Sequence, residues 1–276
     1  MNDALARHAA VRRAAGKNAV EGVAVAAVIC AAGNSSRMAG TGEAVKKEYR
    51  RMPGDANRLT VLGAVVRAFA VLSEVKVIVI AVPDNPVTGE AAARRAIPRV
   101  FLAGKEPAVY FVRGGRSRRS SVFNALSILP EKFPEMPNAK NYALIHDGAR
   151  PWVSPSFIRH IISEVKRHPA VIPVMPIAET PKELTSWMDD AFAAGRGDPI
   201  YVKNHLKRAA VGIAQTPQAF AFPEILDLHK TAAEHHLVTG MEFTDDAEIW
   251  GTFHGSVAVI PGDPKNRKIT FPGDLA

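Results

Sequence analysis

The sequence predicts an α/β fold on a mainly parallel, Rossmann-like sheet, and three observations predict it. Short runs rich in Val and Ile recur along the chain, stretches of helical pattern separate them, and several runs stop at turns bearing Gly or Asp. Such alternation indicates βαβ units, whose crossover helices join parallel strands. Of the 276 residues, 47% are hydrophobic, enough for one sizeable core.

The first strand is predicted over 23–30, a near-continuous apolar run of the kind a strand buried on both faces requires. Further strands are expected over 75–82, 108–112, 142–146 and 170–175, with helices at about 59–72, 88–95, 117–129 and 155–167. Pro83, Pro151 and Pro155 fall just past strand ends, where they break no ladder. Between 177 and about 207 the rhythm fails: the segment is polar and carries Gly195, Gly197, Asp198 and Pro199. A long loop inside a compact domain is unusual, so an extended hairpin or β-arm is expected there. A helix over 223–235 and a strand over 256–260 return the chain to the core. Residues 1–22, with Arg7, Arg12, Arg13 and Lys17, lack an uninterrupted apolar h-region and read as an extension outside a single domain spanning 23–276.

The formal net charge of +8 suits nucleic acid and a phosphate-rich small substrate equally. Zinc-ligand spacings and ribonucleoprotein aromatics are missing, and there are only four Tyr and three Trp, so no nucleic-acid partner is expected. The single cysteine, Cys30, excludes an intrachain disulfide and reads as a small buried hydrophobe in a cytoplasmic protein. No apolar run reaches membrane-spanning length, so no membrane partner is expected.

The first strand ends in Ala31-Ala32-Gly33, followed by Arg37 and then Lys46 and Lys47. Small side chains let a ligand approach the backbone, and free amides with three cations would meet an anion, most naturally a nucleoside triphosphate. The Walker A and dinucleotide spacings are both missing. Read locally, a buried strand with an ordinary basic turn explains the run equally well. Gly114-Gly115-Arg116-Ser117-Arg118-Arg119-Ser120-Ser121 follows the third strand and opens a helix that Ser117 can cap. Basic residues there oppose the helix dipole, which a local anion would explain. His146-Asp147-Gly148-Ala149-Arg150 ends the fourth strand. Its Asp is placed to serve a metal or a ribose, or to close the turn as an ion pair with Arg150, and His146 reads as a packed strand residue. Gln215-Thr216-Pro217-Gln218 and the stretch from Phe243 to Ala247 read as loops facing a site, although Thr244 is also a candidate helix cap. Asn266-Arg267-Lys268-Ile269-Thr270 forms a third cationic cluster, and His229, His235 and His236 lack ligand spacing.

Taken in order, these segments resemble the 2-C-methyl-D-erythritol 4-phosphate cytidylyltransferase family of the non-mevalonate isoprenoid pathway. The resemblance implies a sheet of nucleotide-diphospho-sugar transferase type, with a β-arm at about 177–207 that reaches into the partner of a homodimer. It implies transfer of CMP from CTP to methylerythritol phosphate with release of pyrophosphate, assisted by Mg²⁺ or another divalent cation held mainly by CTP phosphates. Arg37, Lys47 and Lys268 would be catalytic. Ala31, Ala32, Gly33, Gly115, Arg118, Ser121 and Asp147 would bind CTP. Asp147, Thr216 and Thr244 would line the methylerythritol phosphate site, with Thr180 and Arg208 supplied by the arm to the neighbouring subunit. The chain departs from the family at Arg116, where a polar or acidic residue is usual, and in segment 186–198 of the arm. It also departs in a longer loop before the lysine pair, where Tyr49 favours Lys47 over Lys46. Two alternatives remain open: a ribitol 5-phosphate cytidylyltransferase, and a basic module that binds nucleotide or nucleic acid without chemistry.

Overall fold

A computed structural model describes residues 23–33, 46–54, 58–104, 106–132, 141–185 and 200–275. The extension at 1–22, Arg37 and segment 186–198 lie outside the described residues.

Strands β1 (Ala24–Cys30), β2 (Val75–Val82), β3 (Ala108–Arg113), β4 (Asn141–Asp147) and β5 (Ala170–Pro176) fall where the apolar runs place them. So does the late strand β10 (Ala258–Pro261). Helices α1 (Val61–Ala70), α2 (Glu90–Ala96), α3 (Arg118–Ser127), α4 (Pro155–Val165) and α5 (Glu224–Thr239) match the helical stretches. Side-chain caps open three of them, from Thr60, Ser117 and Ser154.

Two elements depart from the sequence reading. Gln218 is not in a loop: it opens β9 (Gln218–Ala221), which lies antiparallel between β4 and β5. The loop read around Phe243 to Ala247 instead runs into helix α6 (Asp246–Phe253). Its cap is Asp245, whose side chain accepts from the Glu248 amide, while Thr244 bonds the Glu248 carboxylate instead.

The main sheet runs in the order β10-β5-β9-β4-β1-β2-β3. β4, β1, β2 and β3 are mutually parallel, as are β5 and β10, and β9 is the reversed strand between the two groups. Strand periodicity sends alternate β1 residues to opposite faces. Ala27 and Ile29 pack with Phe69 of α1 and Ile161 of α4, whereas Ala26 and Val28 pack with Leu126 of α3 and Trp250 of α6. Between 177 and 207 the described residues form a separate antiparallel pair, β6 (Lys182–Leu184) with β7 (Val202–His205), beyond which β8 (Gly212–Ala214) rejoins β5. Among the described residues no helix is long and apolar enough to cross a membrane.

Trp250 is fully buried and stacks on Phe220 of β9 with ring centroids 5.6 Å apart. Trp250→Ala is expected to cost about 3–5 kcal/mol of stability in urea unfolding. A cost below about 1 kcal/mol would contradict this packing of α6 on the sheet.

Candidate active site

The chain leaves β1 toward β2 on one side and later returns as β4 on the other. An open α/β sheet has its crevice at that reversal, beyond the carboxyl ends of the strands. Here the reversal falls at the cross-strand pair Cys30 and Asp147. A cleft of about 440 Å³ opens there, and Cys30, Asp147 and residues of the β3–α3 turn line it.

Close backbone approach shapes its floor. The Gly148 amide donates to the Cys30 carbonyl at 2.9 Å, and a Cβ on Gly148 would stand only 2.9 Å from that oxygen. A Cβ on Gly114 would lie 2.2 Å from the Ala32 Cβ, so the β1 and β3 turns close together only with glycine here. Ser121 braces the same turn: its hydroxyl accepts from the Gly115 amide at 3.0 Å and donates to the Ser117 carbonyl at 2.8 Å.

Cations converge on this floor from distant parts of the chain. Lys47 and Lys268 line one cleft, with Arg116 and Arg118 on the β3–α3 side. Lys47 reaches across to donate to the Ile269 carbonyl at 2.9 Å. Lys46 turns inward, donates to the Gly33 carbonyl and pairs with Glu48 at 2.9 Å, both side chains being buried. The structure thus separates the two lysines: Lys47 faces the cleft and Lys46 is tied to Gly33 and Glu48.

Asp147 gathers the charges, with Lys268 at 3.0 Å, Arg150 at 3.2 Å and Arg118 at 3.9 Å. Burial alone would push this carboxyl up. Lys268, Arg118 and Arg150 outweigh burial and hold it well below the usual carboxylate range. Arg150 also donates to the Asn266 carbonyl at 2.9 Å, and the fully buried Asn266 donates to the Thr216 carbonyl at 2.7 Å. These bonds tie the segment carrying Lys268 to the end of β4. Burial, opposed in part by Arg118, pushes the Cys30 thiol up to about 12, so it faces the cleft as a neutral group.

The other predicted residues are placed as follows. Ala32, Gly33, Gly115, Arg118 and Ser121 line the cleft. Ala31 is buried beneath it and donates its amide to the Ala81 carbonyl at 2.9 Å. Thr216 is also buried, and its hydroxyl accepts from the Asp147 amide at 3.0 Å while bonding His146 Nδ1 at 3.0 Å. Thr244 is exposed and bonded to Glu248. Thr180 and Arg208 are exposed near the β6–β7 pair, with Arg208 donating to the Ala178 carbonyl at 2.8 Å. None of Thr216, Thr244, Thr180 and Arg208 lines this cleft. Sequence reasoning gave no part to Asn266, or to the Asp246 and His229 side chains behind Arg118.

Fold and site together define an α/β protein with a basic cleft at the topological switch point of its sheet. The profile of the family described as IspD, 2-C-methyl-D-erythritol 4-phosphate cytidylyltransferase, matches residues 25–276, and the chain belongs to that family. It is 37% identical over 251 residues to a bifunctional enzyme IspD/IspF of Bradyrhizobium sp. (strain ORS 278), covering 91% of this chain and 54% of the relative. A bifunctional enzyme IspD/IspF of Brucella anthropi is 32% identical over 252 residues, covering 91% and 53%. The chain thus spans about half the length of these curated relatives. In fold it is similar to the Francisella tularensis 2-C-methyl-D-erythritol 4-phosphate cytidylyltransferase, with a TM-score of 0.66, 24% identity and coverage of 91% of this chain and 96% of that one.

His146 yields a pH prediction. Its Nε2–H donates to the Arg150 carbonyl at 3.2 Å while Nδ1 accepts from Thr216, an arrangement that needs a neutral ring. Burial pulls its pKa from 6.5 down to about 4. The unfolded chain therefore takes up the proton first, so stability present above pH 6.5 is lost as pH falls toward 4. The loss should approach about 3 kcal/mol. Urea unfolding at pH 7 and pH 4.5 should show most of it in the wild type and little in His146→Gln. Equal slopes in the two proteins would contradict the assignment.

Proposed function

We propose that this chain transfers CMP from CTP to 2-C-methyl-D-erythritol 4-phosphate, giving 4-diphosphocytidyl-2-C-methyl-D-erythritol and pyrophosphate. The observation that carries this reading is the meeting of Lys47 and Lys268 in one cleft at the strand ends, beside Asp147. A phosphate oxygen of methylerythritol phosphate attacks the α-phosphorus of CTP. The new O–P bond forms as the bond to the bridging α–β oxygen breaks, and pyrophosphate carries away the electron pair. The attacking phosphate is already anionic, so the reaction needs no strong general base. Catalysis is then positioning and neutralisation of charge on the α-phosphate and leaving group. Lys47 and Lys268 supply that charge, together with Arg37, which lies between β1 and Lys47 in the sequence. Asp147, ionised and paired with Lys268, keeps that ammonium over the cleft.

The donor set fits a divalent cation held chiefly by the nucleotide. Among the described residues no three His, Cys, Asp or Glu side chains cluster, as a full protein cage would require. Mg²⁺ is commonly held by one or two carboxylates with phosphates and waters. Glu48 and Asp147 are the carboxylates that line the cleft, and both are already paired with cations, so the ion would rest mainly on the nucleotide phosphates. When bound, the ion adds positive charge against the phosphates.

The homodimer belongs to the same reading. Tyr201 and Val202 on the arm, and Ile213 at its base, are exposed apolar side chains of a kind that marks contact surfaces. Thr180 and Arg208 would then serve the neighbouring cleft rather than their own. A cytoplasmic setting, where Cys30 stays reduced, is consistent with this activity.

Pyrophosphate release from CTP should require methylerythritol phosphate and be much slower with ribitol 5-phosphate. Release that ignores both polyol phosphates would contradict the proposal. Lys47→Ala and Lys268→Ala should each lower kcat by about 10²–10³ with a smaller effect on CTP affinity. Loss of affinity equal to the loss of rate would instead assign these lysines to ground-state binding. EDTA should abolish turnover and added Mg²⁺ restore it; activity undiminished by chelation would remove the cation from the reading.

A further inference from the structure

Arg118 has a second attachment, which the cleft does not account for. Its NH2 stands 2.7 Å from Oδ2 of Asp246, the first residue of α6, and that carboxylate is fully buried. The other oxygen, Oδ1, lies 3.1 Å from Nε2 of His229 on α5, also fully buried. Side chains of α3, α5 and α6 thus meet in one polar contact inside an apolar core that includes Trp250 and Ile225.

A purely structural contact here has a simpler solution. Replacing a buried ion pair by apolar side chains of similar volume is often neutral or stabilising. The geometry of Arg118 suggests what the charge is for. Its side chain is 28% exposed and lines the cleft, while its NH2 forms a close ion pair with Asp246 and its contact with Asp147 is the longer one, at 3.9 Å. A planar guanidinium anchored by a buried ion pair is restricted in the directions its remaining N–H groups can take.

His229 supports the same arrangement. Its Nδ1 is buried with no hydrogen-bond partner among the described residues, which places the ring proton on Nε2, donating to Asp246. Through Nε2 the ring holds Oδ1, which leaves Oδ2 turned toward Arg118. Burial would push the Asp246 carboxyl up, but Arg118 and then His229 hold it below the usual range.

We infer that Asp246 and His229 are positioning residues: they anchor Arg118 so that its remaining N–H groups meet an acceptor oxygen of the bound nucleotide. Neither touches the ligand. The inference rests on the reading of the cleft as a CTP site and adds to it the means by which one wall is aimed.

The test uses Asp246→Asn, Arg118→Gln, His229→Gln and the double variant R118Q/D246N in the full chain. CTP dissociation constants are measured by calorimetry with Mg²⁺ and no polyol phosphate, alongside kcat, KM and thermal unfolding. Asp246→Asn should weaken CTP binding and raise its KM by about ten-fold, with kcat changed less than about three-fold. His229→Gln should move the same constants in the same direction by a smaller factor. R118Q/D246N should bind CTP no more weakly than Arg118→Gln alone, because Asp246 acts only through Arg118. Asp246→Asn that melts earlier yet keeps its CTP constants within about two-fold of wild type would overturn the inference, as would losses that multiply in the double variant. Should a single variant fail to fold, the double variant leaves no lone buried charge, and wild-type CTP affinity in it would be equally decisive. Failure of the wild type to bind CTP is a different result: it overturns the reading of the cleft, and this inference with it.

Discussion

The carboxylate of Asp147 is where the chain is drawn together. It stands at the end of β4 beside the end of β1, and it holds Lys268 from the far C-terminal segment, Arg150 from its own turn and Arg118 from α3. An anion buried at a strand end needs such partners, because desolvation without them costs several kcal/mol. Those same partners give the cleft its basic wall. Arg150 extends the arrangement by holding the Asn266 carbonyl, and Ile269 closes it by donating its amide to Ala149 at 2.8 Å. The path of the last segment, and hence the place of Lys268, follows from satisfying one buried charge.

Beneath Asp147 lies a second layer that sets the first. Thr216 gives its hydroxyl to His146 and accepts from the Asp147 amide, so the strand end cannot rotate without breaking two bonds. Gln215 clasps the Asp263 backbone on both sides, at 3.0 Å each way. Gln218 bonds Asp245 and the Ala247 amide, which fixes the start of α6 and with it Asp246. The segment Gln215-Thr216-Pro217-Gln218 is therefore a clamp between the sheet, the last segment and α6.

Much of this was legible in the sequence, and the limits have physical causes. The parallel strands are near-continuous apolar runs, so β1, β2 and β4 announce themselves. Gly114 and Gly148 mark tight turns because the turns approach one another too closely for any side chain. β9 was hidden because its four residues open on a polar Gln whose amide is satisfied only by α6, far along the chain. A hydroxyl after a strand offers no sign of whether it points up or down, and that of Thr216 bonds His146 and the Asp147 amide. Asp246 was hidden more deeply. Nothing in the sequence sets it apart from Asp245 and Glu248, and only the fold shows it fully buried against Arg118 and His229. Residue types set the chemistry of the cleft, and the Asp147–Arg150 pair has a local pattern, whereas partners such as Lys268 for Asp147 and Asp246 for Arg118 are long-range and leave none.

One claim underlies the functional reading: the carboxyl ends of β1 and β4, organised by Asp147, bring Lys47 and Lys268 over the same bound triphosphate. A crystal structure of the chain with CTP and Mg²⁺ tests it most directly. The expected result is a nucleotide in the cleft with phosphate oxygens at about 2.7–3.2 Å from both ammonium groups. A nucleotide bound elsewhere, or one in the cleft whose phosphates leave Lys47 and Lys268 untouched, would contradict it.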